Sequence, residues 1–209
     1  MLFITRPNYD DTTNYLYYWS EEIIKEAEKR NIKVIDFKGK KANRVDIEKF
    51  LKKQNPKFII FNGHGSAESI YGQKEIIIKS GENEKLLKSK IIYAISCNSA
   101  SKLGEDSIKA GAESYMGYGD AFIFLYDPNK CSNPLSDDLA KPFLKPSNEL
   151  AISILKKNTT EEAYIKSQNS FKKEIRNLAL GESTNKEAIR WLIWDMHCQK
   201  LLGNPKAQL

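Results

Sequence analysis

Cysteine is scarce in this chain: the thiols at Cys97, Cys131 and Cys198 are too few, and odd in number, for a disulfide framework. Histidine is scarcer, with only His64 and His197. The longest apolar runs, such as Lys57-Phe58-Ile59-Ile60-Phe61, fall far short of the roughly 20 residues a membrane helix needs. The N-terminal Met-Leu-Phe-Ile-Thr soon turns polar, so no secretory signal is expected. The chain reads as soluble and cytoplasmic, in a reducing compartment, with no membrane partner. No zinc-finger spacing, arginine-rich run or RNP-like aromatic motif occurs. The net charge of +6, from 33 Lys+Arg against 27 Asp+Glu, is spread along helical stretches and reads as a solvated surface. Nucleic acid is therefore not an expected partner, and neither a metal nor a cofactor is expected. What remains is ordinary: 209 residues, 41% hydrophobic, 29% charged, with a mean hydropathy of -0.53. That mix excludes collagen-like, low-complexity and wholly disordered chains, and a chain this long buries ~70% of its unfolded surface.

The first half alternates in period. Leu2-Phe3-Ile4 is a short apolar run, followed by a helical stretch from about Thr13 to Arg30, with Asn31 as its stop. Ile32 to Phe37 reads as a strand, and Val45, Ile47, Phe50 and Leu51 mark a helix ended near Asn55-Pro56. The runs 57–61 and 91–95 are continuously apolar, as buried parallel strands are. A helix over 101–110, closed by Gly111, leads to a strand over 114–118. Such alternation predicts an α/β fold, a three-layer α/β/α sandwich around a mostly parallel sheet, with helices on both faces. Asp127 to Pro134 is dense in turn formers and reads as an exposed loop. Beyond it the chain reads as helical, with capping boxes at Thr159-x-x-Glu162 and Thr184-x-x-Glu187. The apolar faces of the last helices predict that they pack on the sheet. One domain over 1–209 is expected, an α/β core over 1–125 and a loop and helical part over 126–209.

Ligands of such sheets bind beyond the carboxyl ends of the strands. One such end carries Asn62-Gly63-His64-Gly65-Ser66, the next Ser96-Cys97-Asn98-Ser99. Cys97 follows a strand and precedes a helix, whose N-terminus would lower its pKa. Parallel neighbours lie roughly 4.8 Å apart, so a thiol and an imidazole at adjoining tips have the geometry of Cys–His nucleophilic catalysis. Two other readings compete: a dormant scaffold of the same fold, and a nucleotide-binding domain using Gly63 to Ser66 as a phosphate loop. The second lacks the lysine of a P-loop and the third glycine of a dinucleotide fingerprint. His197 and Cys198 are helix neighbours that cannot face each other, and His197 reads as a packed or capping residue.

The strand ending in His-Gly and the later strand ending in Ser96-Cys97 resemble the caspase-like cysteine peptidases of clan CD. That group takes in caspases, legumains, gingipains, clostripain-like enzymes, separases and CHAT-domain proteases. IIYAISCNSA over 91–100, with Leu103-Gly104, is closest in style to CHAT and separase sequences. Gly111 to Tyr118 is similar to the segment that follows in these families, and the caspase Gln-Ala-Cys-Arg-Gly is absent. The resemblance covers roughly residues 1–125. It implies a cysteine endopeptidase in which Cys97 attacks, His64 moves the proton, and the backbone N–H groups of Gly65 and Cys97 form the oxyanion hole, with no third catalytic member required. It also implies an acidic residue lining a pocket for a basic P1 side chain; Asp120 is the best placed, ahead of Glu113 and Asp106, with Ser96 a further substrate contact. The loop 127–134 is similar in character to loops cut during activation of some relatives. The expected partner is a protein or peptide substrate, and a regulatory protein partner is left open.

Overall fold

The computed structural model describes residues 1–181 and 186–209. Its strands and helices run in the order β1 (Leu2–Arg6), α1 (Asp11–Trp19), α2 (Glu21–Lys29), β2 (Val34–Lys38), α3 (Arg44–Lys53), β3 (Phe58–Asn62), β4 (Ser69–Tyr71) and β5 (Ile76–Lys79). There follow β6 (Ile91–Ile95), α4 (Lys102–Lys109), β7 (Ser114–Tyr118), α5 (Lys141–Leu155), α6 (Thr160–Leu180), α7 (Lys186–Cys198) and β8 (Gln199–Gly203). The main sheet has the order β2-β1-β3-β6-β7-β8, with every pairing parallel except β7 to β8. This is the expected mostly parallel sheet between helical layers.

The pleat explains why the strands are continuously apolar. Leu2, Ile4, Phe58, Ile60, Ile91, Tyr93, Ile95, Met116 and Tyr118 point to one face, where α1, α2 and α5 cover them. The alternate residues Phe3, Ile59, Phe61, Ile92, Ala94 and Tyr115 point to the other, beneath α3, α4 and the β4–β5 hairpin. Both faces are buried, so alternation between polar and apolar residues is lost. Each such side chain contributes about 1.5–3 kcal/mol by leaving water, and together they fix the strand tips.

Three features depart from the sequence reading. The stretch 13–30 is two helices that break at Ser20, whose hydroxyl bonds back to the Tyr17 carbonyl. The connection from β3 to β6 holds a hairpin where a helix is usual, and Ile70, Ile77 and Ile78 serve as its buried face. The chain does not stay helical to its end, because β8 pairs antiparallel with β7 and closes that edge. The C-terminal helices pack on the sheet as expected, α5 over one face and α6 and α7 against β8, with Phe143, Phe171, Ala188 and Leu192 as a core between them. On the outer side of α7, Ile193 and Trp194 face solvent. The capping box at Thr159 and Glu162 is present, while Thr184 lies outside the described residues. The left-handed Asn31, at φ +56°, follows α2 as expected. The loop 127–134 is pinned at its Cys131 carbonyl by Asn14 and at its Pro134 carbonyl by Trp19.

Candidate active site

The strands carrying His64 and Cys97 are direct parallel neighbours, with Asn62 opposite Ile95 at their ends. Beyond that pair the tips stay tied. The Gly63 N–H donates to the Ile95 carbonyl, and the Ser96 hydroxyl donates to the Gly63 carbonyl at 3.0 Å. Gly65 then lies flat against the second tip: a Cβ there would fall 2.5 Å from the Cys97 carbonyl oxygen and 2.8 Å from the Ser96 Cβ. Only a residue without a side chain allows this approach. Among the described residues neither the Gly65 nor the Cys97 backbone N–H is taken up by an acceptor of another residue.

His64 has a partner that the sequence did not reveal. Its Nε2 lies 2.7 Å from Asp10 Oδ2, with both side chains about two-fifths exposed. Asp10 is the N-cap of α1, and its other oxygen accepts from the Thr13 N–H. Burial acts to raise the Asp10 carboxyl, but the hydrogen bonds from Thr13 and His64 outweigh it and hold the group below the usual range. One carboxylate thus caps a helix and orients an imidazole, leaving Nδ1 as the unclaimed ring nitrogen.

Cys97 is half-buried and donates to the Phe122 carbonyl at 3.7 Å. The expected helix effect is not realised: a turn over 97–101 separates the thiol from the start of α4, and burial, with a smaller push from acidic neighbours that include Asp120, raises the thiol. Asn98, directly after it, is left-handed at φ +60° and donates its N–H to the Asp120 carbonyl.

The remaining candidates scatter. Asp120 is exposed beside this site, with its carboxylate accepting from the Ala121 N–H. Ser96 is 1% exposed and its hydroxyl is spent on the tie to Gly63, which corrects its reading as a substrate contact. Glu113 pairs with Lys57 at the opposite end of the sheet, and Asp106 with Ser80 and Lys109. His197 is exposed and neither packed nor part of a cluster with Cys198. Gly63 to Ser66 runs into β4, so it opens no helix that could cradle a phosphate. Among the described residues no three His, Cys, Asp or Glu side chains group to hold a metal ion, and no helix is long and apolar enough to cross a membrane.

No protein-family model matches the chain, and no curated protein matches it. Solved structures do. The crystal structure of gingipain R, an Arg-specific cysteine proteinase, superposes over 100% of this chain with a TM-score of 0.64 at 12% identity. The fold is similar to that of gingipain R. A complex of the Porphyromonas gingivalis RgpB pro- and mature domains superposes over 98% with a TM-score of 0.61 at 11% identity. The chain spans 46% and 47% of those two chains, less than half of either. Gingipain R is a clan CD peptidase, so the caspase-like α/β architecture expected from the strand tips is the one found.

Within this gingipain-like fold three contributors escaped the sequence. Asp10 sits at a β1 tip 54 residues from His64, and only the pairing of β1 with β3 brings them together. Phe122 acts through its carbonyl, which no side-chain pattern reports. Asp195 is fully buried on α7 and accepts from the Ile123 N–H at 2.9 Å, holding the segment that carries Phe122. For Asp10 a signal existed: Asp10-x-x-Thr13 ahead of a helical stretch marks an N-cap.

Proposed function

We propose that the chain is a cysteine endopeptidase with Cys97 as nucleophile and His64 as acid–base. The observation that carries this reading is the packing of Gly65 against Cys97, which puts two backbone N–H groups that no other residue takes up beside a thiol, one strand from an imidazole held by Asp10. In the first half-reaction His64 takes the Cys97 proton as sulfur bonds to the scissile carbonyl carbon. The oxygen, now negative, is received by the N–H groups of Gly65 and Cys97. The C–N bond breaks, the amine leaves with the proton from His64, and a thioester stays on Cys97. Water then attacks, giving its proton to His64, and the S–C bond breaks to release the acid and restore the thiol. Because burial keeps the thiol neutral at rest, deprotonation accompanies attack and no ion pair stands ready beforehand.

A basic P1 residue fits the exposed Asp120 beside Cys97, and gingipain R, the first structural neighbour, is itself Arg-specific. The finer CHAT and separase likeness rests on residues 91–100 alone. A single catalytic unit over 1–209 and a cytoplasmic, reducing location go with the reading. A fluorogenic peptide panel with Lys, Arg, Asp, Asn or Leu at P1, run on wild type and Cys97→Ala, tests it. Turnover confined to wild type and strongest on Lys or Arg is expected; turnover that survives the substitution overturns it. The rival reading, a dormant scaffold, draws on the raised thiol, and slow alkylation of Cys97 by iodoacetamide, no faster than Cys131 or Cys198, would favour it.

A further inference from the structure

The segment 119–123 after β7 is clamped on two sides. Toward the site, Asn98 donates to the Asp120 carbonyl and Cys97 to the Phe122 carbonyl. Toward α7, the Trp194 indole N–H donates to the Ala121 carbonyl at 2.8 Å, and the Ile123 N–H donates to Asp195. Phe122 turns inward, its ring 4.4 Å from that of Tyr118, and Ile123 turns outward. There it meets Arg190, Trp191, Ile193, Trp194 and His197 in a groove of about 620 Å³. Ile193 is 40% exposed and Trp194 38% exposed, and the Arg190 guanidinium lies 4.8 Å over the Trp191 ring.

A groove of this volume is in the range of ligand sites (roughly 300–1,000 Å³), which are mostly apolar with a few polar groups at the edge. Its position decides what fills it. Ile123, which lines the groove, directly follows Phe122, whose carbonyl receives the Cys97 thiol, so the groove adjoins the site through neighbouring residues of one segment. The edge carries a guanidinium and an imidazole, so the matching peptide bears an acidic and not a basic neighbour there.

We propose that this groove is a specificity subsite that takes an aromatic or long aliphatic side chain of the polypeptide substrate, flanked by a carboxylate facing Arg190. The proposal rests on the peptidase reading for its occupant, and its test is separable from that reading because it measures binding. Labelled peptides Glu-Phe-Ala-Lys and Glu-Gly-Ala-Lys are titrated by fluorescence anisotropy into the Cys97→Ala protein. The phenylalanine peptide is expected to bind at least about tenfold more tightly, and replacing its Glu by Lys should weaken it. That preference should fall below about twofold with Trp194→Ala or with Ile193→Glu, an exposed position whose change leaves the core alone, and persist with Trp194→Phe. Equal binding of the two peptides, or a preference that survives both Trp194→Ala and Ile193→Glu, overturns the subsite. Iodoacetamide on the wild-type chain reads the thiol apart from the groove: an inert Cys97 with the peptide preference intact removes the peptidase and keeps the subsite.

Discussion

His64 at the tip of β3 and Cys97 at the tip of β6 occupy opposite surroundings. The imidazole stands in partial contact with water, held by an equally exposed carboxylate, while the thiol is half-buried and donates to a main-chain carbonyl. The imidazole side is fixed by one hydrogen bond to a carboxylate, and the sulfur side by packing and backbone bonds from Gly65, Asn98 and the segment 120–123. A single hydrogen bond to a carboxylate in contact with water is weak and easily screened, whereas packed backbone is not. The precision of the site therefore resides on the sulfur side, and its response to pH and salt on the imidazole side.

The largest effects break both sides outright. Cys97→Ala should abolish peptide turnover, by at least about 10⁴-fold, and His64→Ala should lower kcat/KM by about 10²–10⁴-fold. Both should leave the thermal midpoint nearly unchanged, read by calorimetry beside the activity assay. Next comes the packing that joins them. Gly65→Ala forces a Cβ into the Cys97 carbonyl and the Ser96 side chain. It should cost about 1–3 kcal/mol of stability and about 10²–10³-fold in kcat, as loss of an oxyanion donor does. A Gly65→Ala variant with wild-type kcat would show that this close approach has no part in the chemistry.

Asp10→Asn sharpens the comparison from the imidazole side. It should lower kcat/KM by about 10- to 10²-fold, less than the ~10⁴ lost when a buried carboxylate of this kind is replaced, because water screens this pair. The Asp10 carboxyl is depressed in the folded chain. Its stabilising effect is thus complete above the unfolded value of about 3.9 and is lost as pH falls through the lower folded value. The acid limb of the stability profile should flatten in Asp10→Asn, and raised salt should narrow the gap between the two proteins. An identical acid limb in both proteins would detach Asp10 from His64.

What could be read from the sequence follows the same division. The strands over 58–61, 91–95 and 114–118 and the placement of His64 and Cys97 at neighbouring tips were legible because continuous apolar runs and Gly-flanked ends are local signals. The β4–β5 hairpin was not: Ile70, Ile77 and Ile78 are too few to outweigh the turn formers around them, and they become a face only against the sheet. β8 was hidden in the same way, since Gln199 to Gly203 continues a helical pattern and is a strand only because β7 offers an edge. Asp10 and Asp195 carry ordinary surface letters; one is drawn in by the β1–β3 pairing and the other by the stacking of α7 on α6.

Asp195 offers the finest test of the sulfur side. It is fully buried, one oxygen accepts from the Ile123 N–H, and among the described residues Oδ2 has no partner. Burial raises its carboxyl well above the ordinary range. A folded value above the unfolded one gives stability that is complete below about pH 3.9 and declines as pH rises toward the folded value, because the native state binds the extra proton. Asp195→Asn keeps the bond to Ile123 and removes the titration. It should therefore be more stable than wild type at pH 7–8, by an amount of order 1 kcal/mol, with an advantage that shrinks toward pH 4, while peptide turnover changes little. Asp195→Leu loses the bond to Ile123 and should release the 121–123 segment, lowering turnover although Cys97 and His64 are untouched. Denaturant unfolding across pH on both variants makes the check; equal pH profiles for wild type and Asp195→Asn would mean that this carboxyl is not held neutral beneath the thiol.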